Sequence, residues 1–412
     1  MTPAGAALPL AEYLARVLAR IQPLPPLDLD LTQAYGSALA ADVTAPNPLP
    51  AFDHAAIDGY ALRAGDVSQA RPDRPVRLNV VGDIGVTSWR PVRVPPGGCF
   101  SIAAGAALPA GADAVAHPSW TDQGMVALEV RTAPQRGHAV RRAGDQMAAG
   151  ATLAKAGTYV TPALVALLAA TGVGHVVVRP QPRVAVVATG DELVDIGRSS
   201  QPGQVVDANS HALAAAAADT GAHAYRIGIC DDDPEAMRTV LDDQTLRSDL
   251  IITTGGTAHG PGDMARRILG RDGAVEFTEV SVYPQMAMGF GAVGPEEVPI
   301  VCLPGDPGAA LIGFEVLARP LILRLAGADP VFRPSVKAHL LETVTSPAGL
   351  REFRPAHVAE RRGGGYTLLP LVGGQHTLSG LAEANGLLVL GEKVSNAAAG
   401  STVDVLLMDR RR

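Results

Sequence analysis

The chain has 412 residues, of which 47% are hydrophobic, 18% charged and only 4% aromatic, and its formal net charge is −7. That length predicts about two to four domains, and so much apolar sequence excludes wholesale disorder. The acidic balance excludes a dedicated nucleic-acid binder, which carries a basic surface, yet leaves room for a small anion held by backbone donors.

Cys99, Cys230 and Cys302 are far apart, odd in number and without a C-x-x-C pair. They predict a reducing, cytoplasmic setting with no disulfide framework or zinc site, and they read as small buried hydrophobes. The most apolar run, Ala163 to Val178, is shorter than the roughly 20 residues of a membrane span, and Gly172 and Gly174 interrupt it. No membrane span and no secretory leader are expected. Lys155, Lys337 and Lys393 are the only lysines; the other basic residues are arginines.

In chain order, Leu10, Leu14, Val17, Leu18 and Ile21 repeat at helical spacing, and Pro23, Pro25 and Pro26 stop the helix. From Pro46 to about Gly144, short Val-rich runs cut by Gly and Pro predict a β-rich domain. A helix over Thr161–Gly172 follows. From Arg183 to about Gly327, strands (Arg183–Ala188, His223–Cys230, Asp249–Thr254, Glu276–Val282, Val298–Leu303) alternate with helices near Ser210–Gly221, Pro234–Leu246, Asp263–Leu269 and Gly308–Ala326. Asp233 and Pro234 form an N-cap and N1 pair. Strand, loop and helix in that order throughout predict a doubly wound α/β domain, with ligands at the carboxyl ends of its strands. After Pro330 the runs are β-like, and Gly363-Gly364-Gly365 marks a hairpin turn. The fold class is thus multidomain α/β. The expected domains are 1–45 with 145–178 (helical or linker), 46–144 (β-rich), 179–327 (α/β) and 328–412 (C-terminal β).

Four loops carry the candidate chemistry: Thr189-Gly190-Asp191-Glu192-Leu193; Gly203 to Ser210, with Asp207 and Asn209; Thr254 to Asp263, with Gly255, Gly256 and Gly260; and Leu303-Pro304-Gly305-Asp306-Pro307-Gly308. Their glycines allow close backbone approach, and the following helix N-termini suit phosphate. Asp191, Glu192, Asp207 and Asp263 could gather Mg²⁺, which takes one or two carboxylates together with substrate phosphates. Each loop alone is also an ordinary turn or cap. Asp231-Asp232-Asp233 reads as a capping cluster. Two further motifs lie in the β-rich region, Phe52 to Leu62 (with Asp58-Gly59-Tyr60-Ala61) and Ala104 to Val115.

The six motifs, in this order and over nearly the whole chain, resemble the MoeA family of molybdopterin molybdotransferases, related to the gephyrin E domain. Asp-Gly-Tyr-Ala, Gly-Asp-Glu-Leu and Leu-Pro-Gly-x-Pro in series carry the resemblance, with Arg141-Arg142-Ala143-Gly144-Asp145 similar to the family's Arg-x-x-Gly-x-Asp. The resemblance implies a four-domain homodimer with a molybdopterin-binding α/β domain. It implies insertion of molybdate (or tungstate) into adenylylated molybdopterin with release of AMP, assisted by Mg²⁺. A molybdoenzyme or another cofactor-biosynthesis protein is a conceivable partner. On this resemblance Asp58, Glu192 and Asp263 are the candidate catalytic residues, and Asp58, Glu192, Asp207 and Asp263 the candidate metal ligands. Thr189, Gly190, Asp191, Asp207, Asn209, Ser210, Gly255, Gly256, Gly260, Pro304, Gly305, Asp306 and Pro307 are the candidate cofactor-binding set.

The chain departs from the family where charge matters. Two family lysines are replaced by Tyr283 and Met286, several hydroxyls by Ala55, Ala104, Ala258 and Ala309, and Asp306 adds a negative charge. His54 and His259 are conceivable substitutes for the lost cations, though each reads first as a solvent-facing loop residue. Three functions stay open on the sequence: an active transferase with an altered anion pocket, a catalytically impaired paralogue that binds molybdopterin or a partner subunit, and an enzyme acting on another nucleotide.

Overall fold

The computed structural model describes residues 7–88, 90–260, 263–271, 273–284, 286–371 and 377–408. The chain forms two compact units, Met1–Leu27 with Gly36–Ala40 and Val178–Arg412, and Asp28–Tyr35 with Ala41–Val177.

The first unit is built on a six-stranded sheet. Its elements are β1 (Arg183–Thr189), α1 (Asn209–Asp219), β2 (His223–Cys230), α2 (Pro234–Thr245), β3 (Leu250–Thr254), α3 (Met264–Leu269), β4 (Val275–Val280), β5 (Met286–Val293), β6 (Val298–Leu303) and α4 (Pro307–Gly313). The strand order is β2-β1-β3-β6-β5-β4. The apolar runs of β1 and β3 are buried on both faces, as interior parallel strands require. β2 closes one edge, and its burial alternates accordingly. Asp233 caps α2 by accepting from Glu235 N and Ala236 N at 3.0 and 2.9 Å. α4 runs on through a π turn at Phe314–Ala318 into a helix over Arg319–Leu325. The π turn ends two residues before Pro320, whose missing N–H breaks the i→i−4 ladder.

Two features differ from the sequence reading. The sheet is mixed: β2, β1, β3 and β6 are parallel, whereas β6, β5 and β4 are successive antiparallel neighbours with no helix between them. The unexpected strand is β5, whose Gly289 and Gly291 disguise it. A Cβ on Gly289 would lie 2.8 Å from the Phe277 ring, so glycine here serves close packing inside the sheet. In addition, the helix over Leu10–Leu18 packs Leu10, Tyr13 and Val17 into the core that holds Val184, Ile252 and Phe314, in the same unit as the α/β domain. Residues 1–45 therefore do not group as a whole with 145–178.

The C-terminal strands of this unit close on themselves. Arg351–Glu360 pairs with Tyr366–Pro370, that strand with Ser335–Leu340, then Thr402–Leu407, then Gly386–Leu390, which returns to the first. The result is a five-stranded barrel, filled by Leu340, Ala356, Leu368, Leu388 and Val405. The turn at Gly363, Gly364 and Gly365 makes the hairpin between its first two strands.

The second unit carries a five-stranded sheet in the order Ala114–Ala116, Gly59–Leu62, Gly98–Ile102, Val76–Ile84, Ala127–Val130. Leu62, Leu78, Cys99 and Leu128 form the core on one face. Its helix Pro162–Ala170 is capped by Thr161, which accepts from Leu164 N. All three cysteines are buried, and burial pushes the Cys99 and Cys302 thiols up to about 12. Among the described residues no helix is long and apolar enough to cross a membrane.

Candidate functional site

The loops that follow β1, β3 and β6, together with the start of α1, meet at one end of the sheet. The junction is built from neutral hydrogen bonds. The Asn209 amide donates to Thr254 Oγ1 and to Gly305 O, both at 2.8 Å. Thr254 Oγ1 donates to Pro304 O at 2.8 Å, and Thr189 Oγ1 to Thr254 O at 3.3 Å. Gly255 N donates to Leu303 O at 3.1 Å. Glycine is required at the centre: Gly255 has φ +102°, and a Cβ on it would lie 2.5 Å from Thr189 O. Thr189, Gly255, Asn209 and Gly305, expected from sequence to share a site, are brought together here with Thr254.

Beside this junction lies a cleft of about 830 Å³. Its walls are Gly256, Thr257, Ala258 and Asp263 from the loop after β3, Pro284, Met286 and Ala287 at the start of β5, residues 304–309, and Thr377 and Leu378 from the C-terminal segment. None of these described residues is Lys, Arg or His. Met286 is 4% exposed and belongs to the hydrophobic core as well as to the cleft wall. Tyr283 is half-buried in a two-residue strand, Val282–Tyr283, that pairs with Arg351 and Glu352. Gln285 lies outside the described residues, as do Pro261 and Gly262.

The carboxylates divide into engaged and available groups. Asp207, only 1% exposed, accepts from Ser210 N at 3.0 Å and from the Ser210 hydroxyl, and Arg226 Nη2 lies 3.4 Å away. Arg226 Nε also donates to Ser210 Oγ at 2.6 Å. Asp207 and Ser210 thus form an internal buttress beneath α1. Asp306 caps α4, accepting from Ala309 N at 2.8 Å, so its charge sits against the helix N-terminus. Pro307 follows as the N1 residue. Asp263 holds its own loop, accepting from Ala258 N at 3.1 Å and from Gly260 N.

Asp191 and Glu192 stand exposed after β1, with Gly190 between them and Thr189. Asp191 accepts from Asp232 N at 2.9 Å. The Asp232 carboxyl is pushed above its ordinary value by burial, and further by the negative charges of Asp191, Glu192 and Asp263. Among the described residues no three His, Cys, Asp or Glu side chains stand close enough to form a metal cage. This uncompensated negative charge matches instead the donor set of a hard divalent ion completed by phosphate oxygens. Asp191 and Glu192 are the exposed carboxylates suited to that role; Asp263 is taken up by Ala258 N and Gly260 N, and Asp207 by Arg226 and Ser210.

Asp58 belongs to the second unit. It is exposed and accepts from Ala104 N at 2.8 Å, while Gly105 N donates to Ala55 O and Ala55 N to Ala106 O. The two motifs of the β-rich region therefore bond to each other. Asp53 accepts from Ala143 N at 2.8 Å and from Arg142 Nη1 at 2.6 Å, and these contacts hold its carboxyl below the usual range, the Ala143 N–H contributing most. His54 Nδ1 lies 3.2 Å from Phe52 O. His259 is met by Arg266, whose Nη1 lies 2.7 Å from its Nε2.

Sequence reasoning missed Thr254 as a junction hydroxyl, Arg226, Asp232 and Arg266. Arg266 follows Asp263 by three residues at a helix start, a spacing that brings side chains together and could have shown it.

Compared with known proteins, the chain matches three family descriptions in order: "MoeA N-terminal region (domain I and II)" over residues 8–172, "Probable molybdopterin binding domain" over 185–324, and "MoeA C-terminal region (domain IV)" over 337–408. It is 39% identical to molybdopterin molybdenumtransferase 2 of Mycobacterium tuberculosis over 92% of this chain and 94% of that one. To molybdopterin molybdenumtransferase 1 of the same organism it is 36% identical, over 96% and 98%. A solved molybdopterin biosynthesis MoeA protein from Pyrococcus horikoshii superposes with a TM-score of 0.84 at 27% identity, covering 98% of this chain and all of that one.

Proposed function

Since the chain belongs to the MoeA family, we propose that it is a molybdopterin molybdotransferase, inserting molybdate into adenylylated molybdopterin and releasing AMP. The observation that carries the reading is the junction of Thr189, Asn209, Thr254 and Gly305, which gathers three glycine loops beside an 830 Å³ cleft at the carboxyl ends of the strands. That is where an α/β sheet binds phosphorylated ligands.

In this reading the loops after β3 and β6 receive the phosphoanhydride and the anion. Phosphoanhydride chemistry needs positioning and charge stabilisation more than an acid–base pair, and the fixed loops supply the positioning. Asp191 and Glu192, together with phosphate oxygens of the substrate, would hold Mg²⁺, which when bound neutralises phosphate charge, while Asp263 shapes the loop after β3. Asp58, fixed by Ala104 N, is proposed as a catalytic residue on the family resemblance alone. A homodimer acting in the cytoplasm, on molybdate or tungstate, is part of the proposal and rests on the family resemblance. The test is to mix the protein with adenylylated molybdopterin, Mg²⁺ and a molybdate series, and to follow AMP release and retained pterin. Molybdate-dependent AMP release is expected. Retained pterin without AMP at any molybdate level would overturn the transferase.

A further inference from the structure

We propose that Arg266 is a positioning residue that gives the loop after β3 its affinity for a phosphorylated ligand, an inference that rests on the reaction proposed above. Arg266 and Asp263 grip this loop through groups of opposite polarity. Asp263 takes N–H groups, those of Ala258 and Gly260. Arg266 takes carbonyls: its backbone N–H donates to Gly256 O at 2.9 Å and its Nε to Thr257 O at 3.0 Å. Its Nη1 lies 2.7 Å from His259 Nε2. Glu279 Oε1 closes the cluster, 3.8 Å from Arg266 Nη2 and 3.4 Å from His259 Nδ1. The guanidinium lies over the Phe277 ring, 5.2 Å from its centroid.

The consequence follows from peptide geometry. A trans peptide sets its N–H and C=O on opposite sides. With the Gly256 carbonyl held by α3, the Thr257 N–H is turned to the other side of that plane. Gly256 has φ +63° and no Cβ, so this peptide is the one most free to flip. A flip would bring a carbonyl dipole round to where the N–H had been. Gly256, Thr257 and Ala258 all line the cleft, so the orientation of their peptides decides whether an anion meets donors or acceptors. No cationic side chain is present among the described lining residues to offset a wrong orientation. The backbone N–H at position 266 fixes the Gly256 carbonyl whatever the side chain, whereas the Arg266 guanidinium alone holds the next carbonyl, that of Thr257, away and adds a positive charge behind the wall, where it is worth more than in water.

The test uses the full chain with adenylylated molybdopterin, and AMP alone as a second anionic probe. Arg266→Ala should weaken binding of both about tenfold or more, while kcat at saturation stays within about threefold. Arg266→Lys keeps the charge but cannot make the forked contacts, and should fall between. His259→Gln keeps an acceptor for Arg266 and should bind nearly as the wild type. Hydrogen exchange in the 255–260 segment should rise in Arg266→Ala. Unchanged affinity in Arg266→Ala would overturn the proposal. So would equal losses of affinity, kcat and urea midpoint in both Arg266 variants, the mark of a merely structural residue. A wild-type chain that binds AMP with this order of variants, yet never converts adenylylated molybdopterin, would overturn the transferase reading and leave the loop inference standing.

Discussion

Gly255→Ala isolates the junction that the functional reading depends on. Alanine at φ +102° costs about 1–3 kcal/mol of backbone strain. The new Cβ would also stand 2.5 Å from Thr189 O and 3.0 Å from Thr189 Oγ1. The first of these is backbone, at the end of an interior strand, so it cannot swing aside. Relief requires the loop to move off β1, loosening the Gly255 N to Leu303 O and Thr189 Oγ1 to Thr254 O bonds. Each is worth about 0.5–1.5 kcal/mol. The total is about 2–6 kcal/mol, and even the lower bound is roughly a thirtyfold change in a local opening equilibrium. Native-state hydrogen exchange of the Val184–Thr189 and Leu250–Thr254 peptides should accelerate at least that much, and kcat/KM for adenylylated molybdopterin should fall with it. Wild-type exchange together with wild-type kinetics would refute the packing argument for this glycine.

Further outcomes follow from the charges. Asp306→Asn keeps the cap on α4, because Asn caps as well as Asp, and removes a negative charge from the cleft; isothermal calorimetry should show tighter AMP binding with an unchanged urea midpoint. Arg226→Ala leaves Asp207 buried without its cation and should cost about 3–5 kcal/mol, read as a lower urea midpoint that a second change, Asp207→Asn, largely restores. The Asp53 carboxyl is depressed in the folded chain, chiefly by Ala143 N–H and then by Arg142. Its contribution is therefore complete above the unfolded value of about 3.9 and is lost as the pH falls through the lower folded value. Proton exchange at Ala143 N should rise in that acid window in the wild type, and be raised at every pH in Asp53→Ala.

Much of the architecture is legible in the sequence because local signals agree with the fold. The uninterrupted apolar runs of β1 and β3, the Asp233-Pro234 start of α2 and the three-glycine hairpin each have one physical meaning, and the structure realises it. β5 was not legible, because Met-Ala-Met-Gly-Phe-Gly has a strand's burial only once Phe277 and Ala274 are packed against its glycines. The loops were legible as ligand loops, but not the division of labour among their carboxylates. Nothing in the order of residues distinguishes Asp207, locked under Arg226, from Glu192, exposed after β1. Likewise Asp306 reads as an added repulsive charge until the Ala309 N–H is seen to take it.

The ring of strands at the C-terminal end has a consequence for how this part of the chain can change. Each of its five strands has a strand partner on both sides, so an arriving extended peptide finds no vacant main-chain row along the ring to extend it. Variation and recognition are left to the connections. The turn at Gly363, Gly364 and Gly365 has all three residues at positive φ with open space where a side chain would be. A segment inserted there would lengthen a loop at small entropic cost while leaving the barrel, and the Val282–Tyr283 strand that leans on it beside the cleft, in register.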